Sequence, residues 1–410
     1  MDLNDTPEQA EYRAHVRAWL EQHAGEAPRI KRDDITPDVI AARRAWQRKL
    51  AEGGFVGITW PREYGGQGLG PLEQVIFNQE LSRAKLPGIL DVIGIGMLGP
   101  TIVAHGTEDQ KQRYLGPMLH GDEVWCQLFS EPAAGSDLAG IQSRAKQQDD
   151  GTWRLSGQKV WTTNAQFAAF GLLMARTDPD VPKHKGLTMF VVPMDAPGVT
   201  VRPLRQISGE AHFNEVFFDD VALDESAPVG PVGGGWRVGL TTLLYERVAI
   251  GLGGEGFGWR ADRFAAALAG DEGARRDPET RRRLGEVAAD LLSLRFTGYR
   301  QLSLLQRGQV PGPEGALGKI TTIRAAIEAA DLIVDALGPG ALADGEWGGM
   351  VSELPGLKSA GGTEEILRNM VGERVLGLPP EPRLDKGIPF SDLRAREREA
   401  AGAATNGGAR

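Results

Sequence analysis

The spacing of apolar residues changes twice along this chain, and this change restricts the possible folds more than any other feature. Apolar side chains recur at helical spacing up to about residue 121 and again from about residue 238. Between these parts, short apolar runs alternate with turn residues, as is typical of strands. We therefore predict an α+β protein in which a small β-barrel or sandwich lies between two helical regions.

Local signals give the expected elements and their limits. Thr6 and Pro7 open the first helix, since Thr is a good cap and Pro fits the first turn. Further helices are expected at 37–52, 71–84, 94–105, 108–119, 238–269, 278–307, 313–337 and 364–376. Strands are expected at 153–157, 171–175, 187–192, 199–202 and 214–218. The predicted domains are helical at 1–121, β at 122–232 and helical at 233–392, followed by a charged, then Ala- and Gly-rich tail at 393–410 that is expected to be disordered.

Composition and charge exclude several classes of function. The net charge of −9 and the absence of a basic stripe argue against nucleic acid as a partner. Cys126 is the only cysteine, so neither an intrachain disulfide nor a cysteine-based metal cluster is possible. It lies in an apolar run, where a thiol usually acts as a small core residue. The six histidines show no metal-type spacing, and no metal is predicted.

The sequence carries no targeting or membrane signal. The first residues are acidic and lack the apolar core of a signal peptide. No run of about 18 apolar residues occurs, so no membrane span is expected. Arg greatly outnumbers Lys, which suggests a GC-rich bacterial source. We expect a cytoplasmic bacterial protein.

The segment 124–137 is the most informative stretch for function. An apolar run from Val124 to Phe129 predicts a buried strand, and it breaks into Ser130-Glu131-Pro132 and a bend of small residues. Small residues let a flat ring or a phosphate approach the main chain, and Ser and Asp present oxygens there. The alternative is an ordinary strand followed by a turn.

Two glycine patterns bear on nucleotide binding. Residues 230–236 predict a linker, and a phosphate-binding loop is disfavoured because no Lys or dinucleotide spacing follows. No Gly-x-Gly-x-x-Gly motif follows a strand, so a Rossmann site for FAD or NAD is not supported.

Several motifs, in this order along the chain, resemble those of the acyl-CoA dehydrogenase family. They lie at 60–66, 130–137, 157–164, 213–221 and 362–366, and the resemblance extends over roughly residues 5–392. It implies a C-terminal four-helix bundle, FAD as cofactor, an acyl-CoA substrate and an electron-transfer flavoprotein as electron acceptor.

The resemblance also implies which residues bind FAD between the β domain and the C-terminal helices. At the end of the first strand, the residues expected to line the isoalloxazine are Gln127, Phe129 and Ser130, and the residues of a second strand expected to approach it are Trp161, Thr162 and Thr163. The small-residue bend at Gly135 and Ser136 allows close passage of the main chain, and Thr363 and Glu365 at a late helix start match positions near the FAD phosphate and ribose. Ser136 is also placed near acyl-CoA. Taken alone, Trp161 on an apolar strand is more typical of a core residue than of a cofactor contact. Thr363 is by itself a good helix cap, a role that can coexist with cofactor binding.

Forming a Cα–Cβ double bond beside a thioester needs a base for the α-proton and an acceptor for the β-hydride. Many relatives carry a Glu directly before the late Gly-Thr pair, but here Gly361 stands in that position. The long-chain and isovaleryl branches instead carry the Glu on a C-terminal helix, directly before an Arg. Glu246 and Arg247 match that pair, which implies Glu246 as the base and Arg247 near the substrate.

The helical pattern supports Glu246 independently. Its neighbours at three and four residues are Leu243, Thr242, Ala249 and Ile250, which form a small and apolar face. Burial on such a face raises the pKa of a carboxyl group, as a catalytic base requires. The alternatives are a Glu246 that pairs with a neighbouring Arg for structural reasons, and an Arg247 that is merely solvated.

The chain departs from the family where one subunit contacts the FAD of another. The expected Arg-x-x-Phe-Gly motif is absent from 278–286, and Asp335 stands where a Gln is expected before a Gly-Gly pair. These departures are consistent with a heterotetramer in which a related subunit completes the site, or with a homo-oligomer that has altered contacts.

The predicted reaction is FAD-dependent dehydrogenation of an acyl-CoA to the trans-2-enoyl-CoA. Three alternatives keep the same fold. One is a flavin oxidase or monooxygenase, and another is a desaturase of acyl groups bound to a carrier protein. The third is a flavin-free partner subunit of a heteromeric dehydrogenase.

Overall fold

The predicted order of helical, β and helical regions is present in the computed structural model, which describes residues 5–29, 35–252, 261–307, 309, 312–343 and 345–407. The first helix begins where the cap residue predicts, because the Thr6 hydroxyl accepts a hydrogen bond of 3.3 Å from the Gln9 N–H. The N-terminal helices are α1 (Pro7–His23), α2 (Pro37–Glu52), α3 (Pro71–Ala84), α4 (Gly99–His105) and α5 (Glu108–Leu119).

A buried carboxylate connects the N-terminal helices to the sheet. Residues Gly94–Leu98 form a π-helical turn directly before α4. The Asp91 side chain accepts hydrogen bonds from the Gly94 N–H at 2.8 Å and the Trp125 N–H at 3.1 Å. Because Trp125 begins the first strand, Asp91 fixes that strand relative to the helices.

The central region is one mixed sheet of eight strands. They are β1 (Trp125–Leu128), β2 (Arg144–Gln147), β3 (Trp153–Thr163), β4 (Phe170–Arg176), β5 (Leu187–Pro193), β6 (Val199–Leu204), β7 (Phe213–Leu223) and β8 (Pro228–Val229). The order is β6-β7-β3-β2-β4-β5-β8, and β1 pairs in parallel with β4.

The sheet folds over on itself around a shared core, as a small barrel or sandwich does. β2 meets β4 at one residue pair only, so it joins two largely separate halves. The rings of Trp153 in β3 and Phe190 in β5 pack edge to face at 5.1 Å, which brings these halves together. Cys126 is fully buried in the same core, and burial raises the pKa of its thiol. The prediction of a structural cysteine is confirmed.

The C-terminal region is helical and is built around one long helix. Its elements are α6 (Gly235–Leu252), α7 (Ala261–Ala269), α8 (Glu272–Arg276), α9 (Pro278–Gln306), α10 (Ala316–Leu337), α11 (Glu346–Ser359) and α12 (Glu364–Arg374). α10 packs against α6, α7, α9, α11 and α12. It presents small buried residues, including Ala326 and Ala330, which allow this close approach.

Three helices lie where the sequence did not indicate them, and one of these is the short α8. α11 contains Gly348, Gly349 and Pro355, and such residues ordinarily weaken or end a helix. A last helix, α13 (Phe390–Gly407), occupies the segment that the composition predicts to be disordered. Its first half is rich in Arg, Glu and Ala, which are strong helix formers.

The start of α13 is fixed to the β4–β5 connection. The Phe390 N–H donates to the Val181 carbonyl at 3.0 Å, and the Arg176 guanidinium lies 3.6 Å from the centre of the Phe390 ring. Arg394 donates a hydrogen bond of 3.0 Å to the Gln142 side chain. Of the helices that the structure describes, none is long and apolar enough to cross a membrane.

Candidate functional site

The end of β1 lies directly beside β3. The Val160 N–H of β3 donates a hydrogen bond of 2.9 Å to the Ser130 carbonyl. Phe129 is buried, whereas Gln127 and Ser130 are half-buried. The structure therefore brings the three predicted β1 residues next to the strand that carries Trp161.

A buried ion pair closes this junction from inside. The Lys159 ammonium, which has no exposed surface, donates to the Phe129 carbonyl at 2.9 Å and to the Glu131 carboxylate at 2.8 Å. The same carboxylate accepts hydrogen bonds from the N–H groups of Gln142 at 2.6 Å and Ser143 at 3.0 Å. Every polar end of the pair is thus engaged, as a buried ion pair requires.

The electrostatics of this pair follow from its burial. Burial by itself would raise the pKa of the Glu131 carboxyl, but the Lys159 ammonium and the two main-chain donors hold that pKa below its ordinary value. Burial lowers the pKa of the Lys159 amine, and Glu131 opposes this shift. Sequence reasoning missed both residues, although both stand inside motifs that it used. No local pattern distinguishes Lys159 from a solvated charge, since the strand also carries Arg154 and Gln158.

Trp161 is an exposed aromatic residue in a strained position. Its φ of +59° lies in the left-handed region, which is unfavourable for a bulky side chain. The β3–β7 register shifts between Lys159 and Thr162, so Trp161 sits in a bulge, and bulges redirect side chains. The indole is 59% exposed and packs edge to face on Phe213 at 5.8 Å. The core alternative for Trp161 is therefore wrong.

The two threonines after Trp161 differ in environment. Thr162 is only 1% exposed, and its hydroxyl oxygen has no hydrogen-bond partner among the described residues. Thr163 is half-buried. Thr162 therefore faces inward at the end of β3, whereas Thr163 keeps part of its surface exposed.

The bend after β1 is open to solvent. Gly135 and Ser136 are exposed, and a Cβ atom added to Gly135 would meet no atom within 4 Å. The protein's own packing therefore does not explain this glycine. The next residue, Asp137, accepts hydrogen bonds of 2.8 and 2.9 Å from Lys183, which fixes the end of the bend.

Glu246 lies on α6, in a half-buried position facing the helical bundle. On the same helix, Thr242 is fully buried and bonded to Thr101 at 3.0 Å, and Leu243 packs against the large core. The predicted apolar face is therefore present at these two positions. The predicted partner Arg247 and the neighbours beyond it have side chains outside the described residues.

Lys319 of α10 is bonded to the loop between α11 and α12 and interacts electrostatically with Glu246. Its amine donates hydrogen bonds to the main-chain carbonyls of Ala360 and Gly362. Burial lowers the pKa of this amine, and the nearby Glu246 carboxylate opposes the shift. Glu246 and the position vacated at Gly361 are thus neighbours of the same amine. No sequence pattern indicates this arrangement, which depends on how α6, α10 and α11 pack.

The loop ends in the cap of α12. Gly361 and Gly362 have φ values of +64° and +88°, a conformation that glycine adopts without strain. The Thr363 hydroxyl then accepts a hydrogen bond of 3.3 Å from the Ile366 N–H. Glu365 is exposed, and bonds from its own N–H and from Thr363 hold the pKa of its carboxyl below the ordinary value. The predicted cap is confirmed, and the helix start remains available to an anion.

Asp335, which stands where the family is expected to carry a Gln, forms an ion pair within this chain. Asp335 of α10 accepts a hydrogen bond of 2.6 Å from Arg283 of α9.

Several large apolar side chains on the surface of the C-terminal region are exposed, among them Leu292, Phe296, Leu317, Leu342, Ile366 and Leu376. Within the described ranges, no group of His, Cys, Asp or Glu side chains converges as a metal site needs.

The residues around β1 and β3 fit a flat, redox-active ring such as that of a flavin. An exposed indole held in a strained bulge, a half-buried hydroxyl at Ser130 and an open glycine bend lie at and just after the place where the end of β1 meets β3. Exposed aromatic residues and strained main chain are both typical of ligand sites.

Family models match most of the chain in three consecutive parts. The acyl-CoA dehydrogenase N-terminal domain matches residues 6–122, the middle domain residues 126–221 and the C-terminal domain residues 233–376.

Individual relatives agree with these matches. Acyl-CoA dehydrogenase IpdE1 of Mycobacterium tuberculosis is 37% identical over 388 residues, which cover 91% of this chain and 98% of the relative. Acyl-CoA dehydrogenase FadE34 of the same organism is 40% identical over 333 residues, which cover 81% of this chain and 46% of FadE34.

Two solved structures of assemblies have the same fold. The Tcur3481–Tcur3483 steroid ACAD is 30% identical with a TM-score of 0.78, covering 93% of this chain and 100% of that chain. The ChsE4–ChsE5 complex from Mycobacterium tuberculosis is 28% identical with a TM-score of 0.75, covering 92% and 100%.

Proposed function

This chain belongs to the acyl-CoA dehydrogenase family of oxidoreductases, and we propose that it oxidises the Cα–Cβ bond of an acyl-CoA with FAD and with Glu246 as the base. The electrostatic interaction of Lys319 with Glu246, together with its hydrogen bonds to the 360–362 loop, supports this assignment most strongly. We infer from it that the carboxylate of α6 acts near the loop in which Gly361 leaves no side chain to act as a base.

In the proposed reaction, the Glu246 carboxylate takes the α-proton of the thioester. FAD, when bound, supplies the acceptor for the β-hydride, so that two electrons leave the substrate and a trans-2-enoyl-CoA forms. The half-buried setting of Glu246 limits access of water to the base. Lys319 holds the adjacent loop in place through its two carbonyl contacts.

The flavin residues proposed here fall into two groups. Ser130, Trp161 and Thr163 keep exposed surface where the end of β1 meets β3 and would contact the isoalloxazine, together with Gln127 and Phe129. The buried Thr162 would support the junction of β1 and β3 from within the protein. Thr363 and Glu365 would lie near the phosphate and ribose, where the start of α12 favours an anion. Gly135 and Ser136 would leave room for the ligands, and Ser136 and Arg247 would contact acyl-CoA.

We further infer that the acyl group is bulky and that the assembly contains a second, related subunit. Relatives described as a steroid ACAD and as complexes of two named chains support this inference. The Arg283–Asp335 pair and the exposed apolar side chains of α9 and α10 also favour it. An electron-transfer flavoprotein as acceptor and a cytoplasmic location remain predictions.

The decisive experiment compares Glu246→Gln with the wild-type enzyme. We expect the variant to keep its flavin absorbance and to lose about two to four orders of magnitude in turnover, the usual contribution of a general base. Glu328→Gln, an exposed residue on α10, should leave turnover unchanged. Retained turnover in Glu246→Gln would exclude Glu246 as the base.

Anaerobic bleaching of the flavin against straight-chain, branched, aromatic and steroid-side-chain acyl-CoA thioesters tests the substrate class. Bleaching by the bulky thioesters alone is expected. Oxygen consumption with peroxide release would indicate an oxidase, and reaction only with carrier-protein thioesters would indicate a desaturase. A colourless protein that gains flavin only when produced with a related subunit would indicate the partner-subunit alternative.

A further inference from the structure

The Lys159–Glu131 pair lies behind the exposed surface on which the flavin is proposed to bind. Lys159 has 0% exposed surface and reaches from β3 to the Phe129 carbonyl at 2.9 Å and the Glu131 carboxylate at 2.8 Å. Removing two charges from water carries a large desolvation cost, so such a pair contributes little net stability compared with apolar residues. Its position indicates another role.

The pair holds three segments of chain in one arrangement. Glu131 accepts from the N–H groups of Gln142 and Ser143 just before β2. The main chains of Glu131 and Ala134 exchange two hydrogen bonds of 3.0 Å, which close the bend that leads to Gly135. The end of β1, this bend and the approach to β2 are therefore connected through a single carboxylate.

The two residues that face outward lie immediately next to this pair. Ser130 separates Phe129 from Glu131, and its carbonyl accepts the Val160 N–H at 2.9 Å. Trp161 follows Lys159 by two residues, in the bulge where its φ is +59°. A strained main chain persists only where its surroundings determine it strongly, and the buried contacts of Lys159 provide such surroundings.

We propose that Lys159 is a positioning residue of the flavin site, and that its ammonium, paired with Glu131, holds Ser130 and Trp161 towards the same ring. The inference rests on the proposed function, because it assumes that the end of β1 and the bulge of β3 contact the flavin. A positioning role predicts that the Lys159–Phe129 bond matters for flavin binding even where the charge balance of the pair is preserved.

The test uses the full chain, produced with its partner subunit if flavin binding requires one. Lys159→Met leaves a buried carboxylate without its cation, so this variant is accompanied by the double variant Lys159→Met/Glu131→Gln, which keeps the net charge unchanged. Lys159→Arg is the conservative variant, and Lys146→Met, on the exposed side of β2, is the matched control. Far-UV circular dichroism reports folding, and titration of the flavin-free protein with FAD gives the dissociation constant.

We expect the folded double variant to bind FAD on the order of tenfold more weakly, with a changed flavin absorbance spectrum, because the Phe129 carbonyl has lost its donor. Lys159→Arg should recover part of the affinity, and Lys146→Met should match the wild type. Two results would overturn the proposal. If the double variant binds FAD with wild-type affinity and spectrum, the positioning role of Lys159 is excluded and the flavin proposal is unaffected. If the wild-type protein binds no FAD, the flavin proposal fails with it.

Discussion

The Lys319 amine of α10 is bonded to the carbonyl of Gly362, the residue directly before the cap of α12. The same amine contacts the Ala360 carbonyl, so one side chain fixes the loop on both sides of Gly361. The Glu246 carboxylate also acts electrostatically on this amine and opposes the lowering of its pKa by burial. Lys319 therefore holds the loop before α12 by hydrogen bonds and interacts electrostatically with the proposed base.

Lys319→Met should lower kcat by about tenfold to a hundredfold, because a small displacement of a catalytic group costs about that much. The acidic limb of the kcat profile should also move to higher pH, since a carboxylate that loses a neighbouring cation is easier to protonate. Steady-state rates measured across pH give both quantities. Lys386→Met, at an exposed position, is the control. An unchanged pH profile would mean that Lys319 has only a structural role.

Trp161→Ala should weaken FAD binding by roughly threefold to tenfold, because an aromatic contact contributes about 0.5–1.5 kcal/mol beyond its buried area. The thermal midpoint of the flavin-free protein should stay nearly constant, since Trp161 is 59% exposed and Ala at this position keeps the same main-chain strain. Calorimetric or fluorescence titration with FAD and thermal unfolding provide the two measurements. Leu384→Ala removes an apolar side chain that is even more exposed, at 87%, and should change neither value. A marked loss of stability with unchanged FAD affinity would contradict the proposed contact.

Glu80 on α3 should make the fold sensitive to acid. Burial by itself would raise the pKa of its carboxyl, but hydrogen bonds from Arg17, Arg83 and Arg13 lower this pKa to about 2. Because the folded pKa lies below that of the unfolded chain, about 4.3, Glu80 stabilises the fold above that pH. This contribution is lost as the pH falls towards 2.

Glu80→Gln should therefore lower the free energy of unfolding by on the order of 2–3 kcal/mol at neutral pH, and the difference should shrink as the pH approaches 2. Urea unfolding at several pH values measures this difference. Glu11→Gln, an exposed residue of α1, should have almost no effect. A difference that is independent of pH would show that charge is not its cause.

The sequence predicts most of the fold, because helical and alternating hydrophobic spacing are local properties. It fails at α11, where Gly348, Gly349 and Pro355 argue against a helix. That helix is stabilised by packing against α10, which a local pattern does not record. For α13, the composition suggests disorder, but Phe390 docks on Arg176 and anchors the helix start.

The candidate site is predicted less completely. Motifs indicate Ser130, Trp161 and Glu246, but they do not reveal that Trp161 is exposed by a bulge, which depends on pairing with β7. The two lysines that organise the site, Lys159 and Lys319, stand at positions where a sequence pattern favours a solvated charge. Their partners lie 28 or more residues away along the chain, so only the tertiary structure identifies them.

The docking of Phe390 on Arg176 has a consequence for synthesis of the chain on the ribosome. Arg176 ends β4 and also donates to the carbonyls of Ala139 and Ile141 beneath the bend after β1. The aromatic ring that covers it is translated only after the whole helical bundle. The middle of the protein is therefore completed last, and nascent chains that stop before Phe390 leave this face of the β domain uncovered to chaperones and proteases.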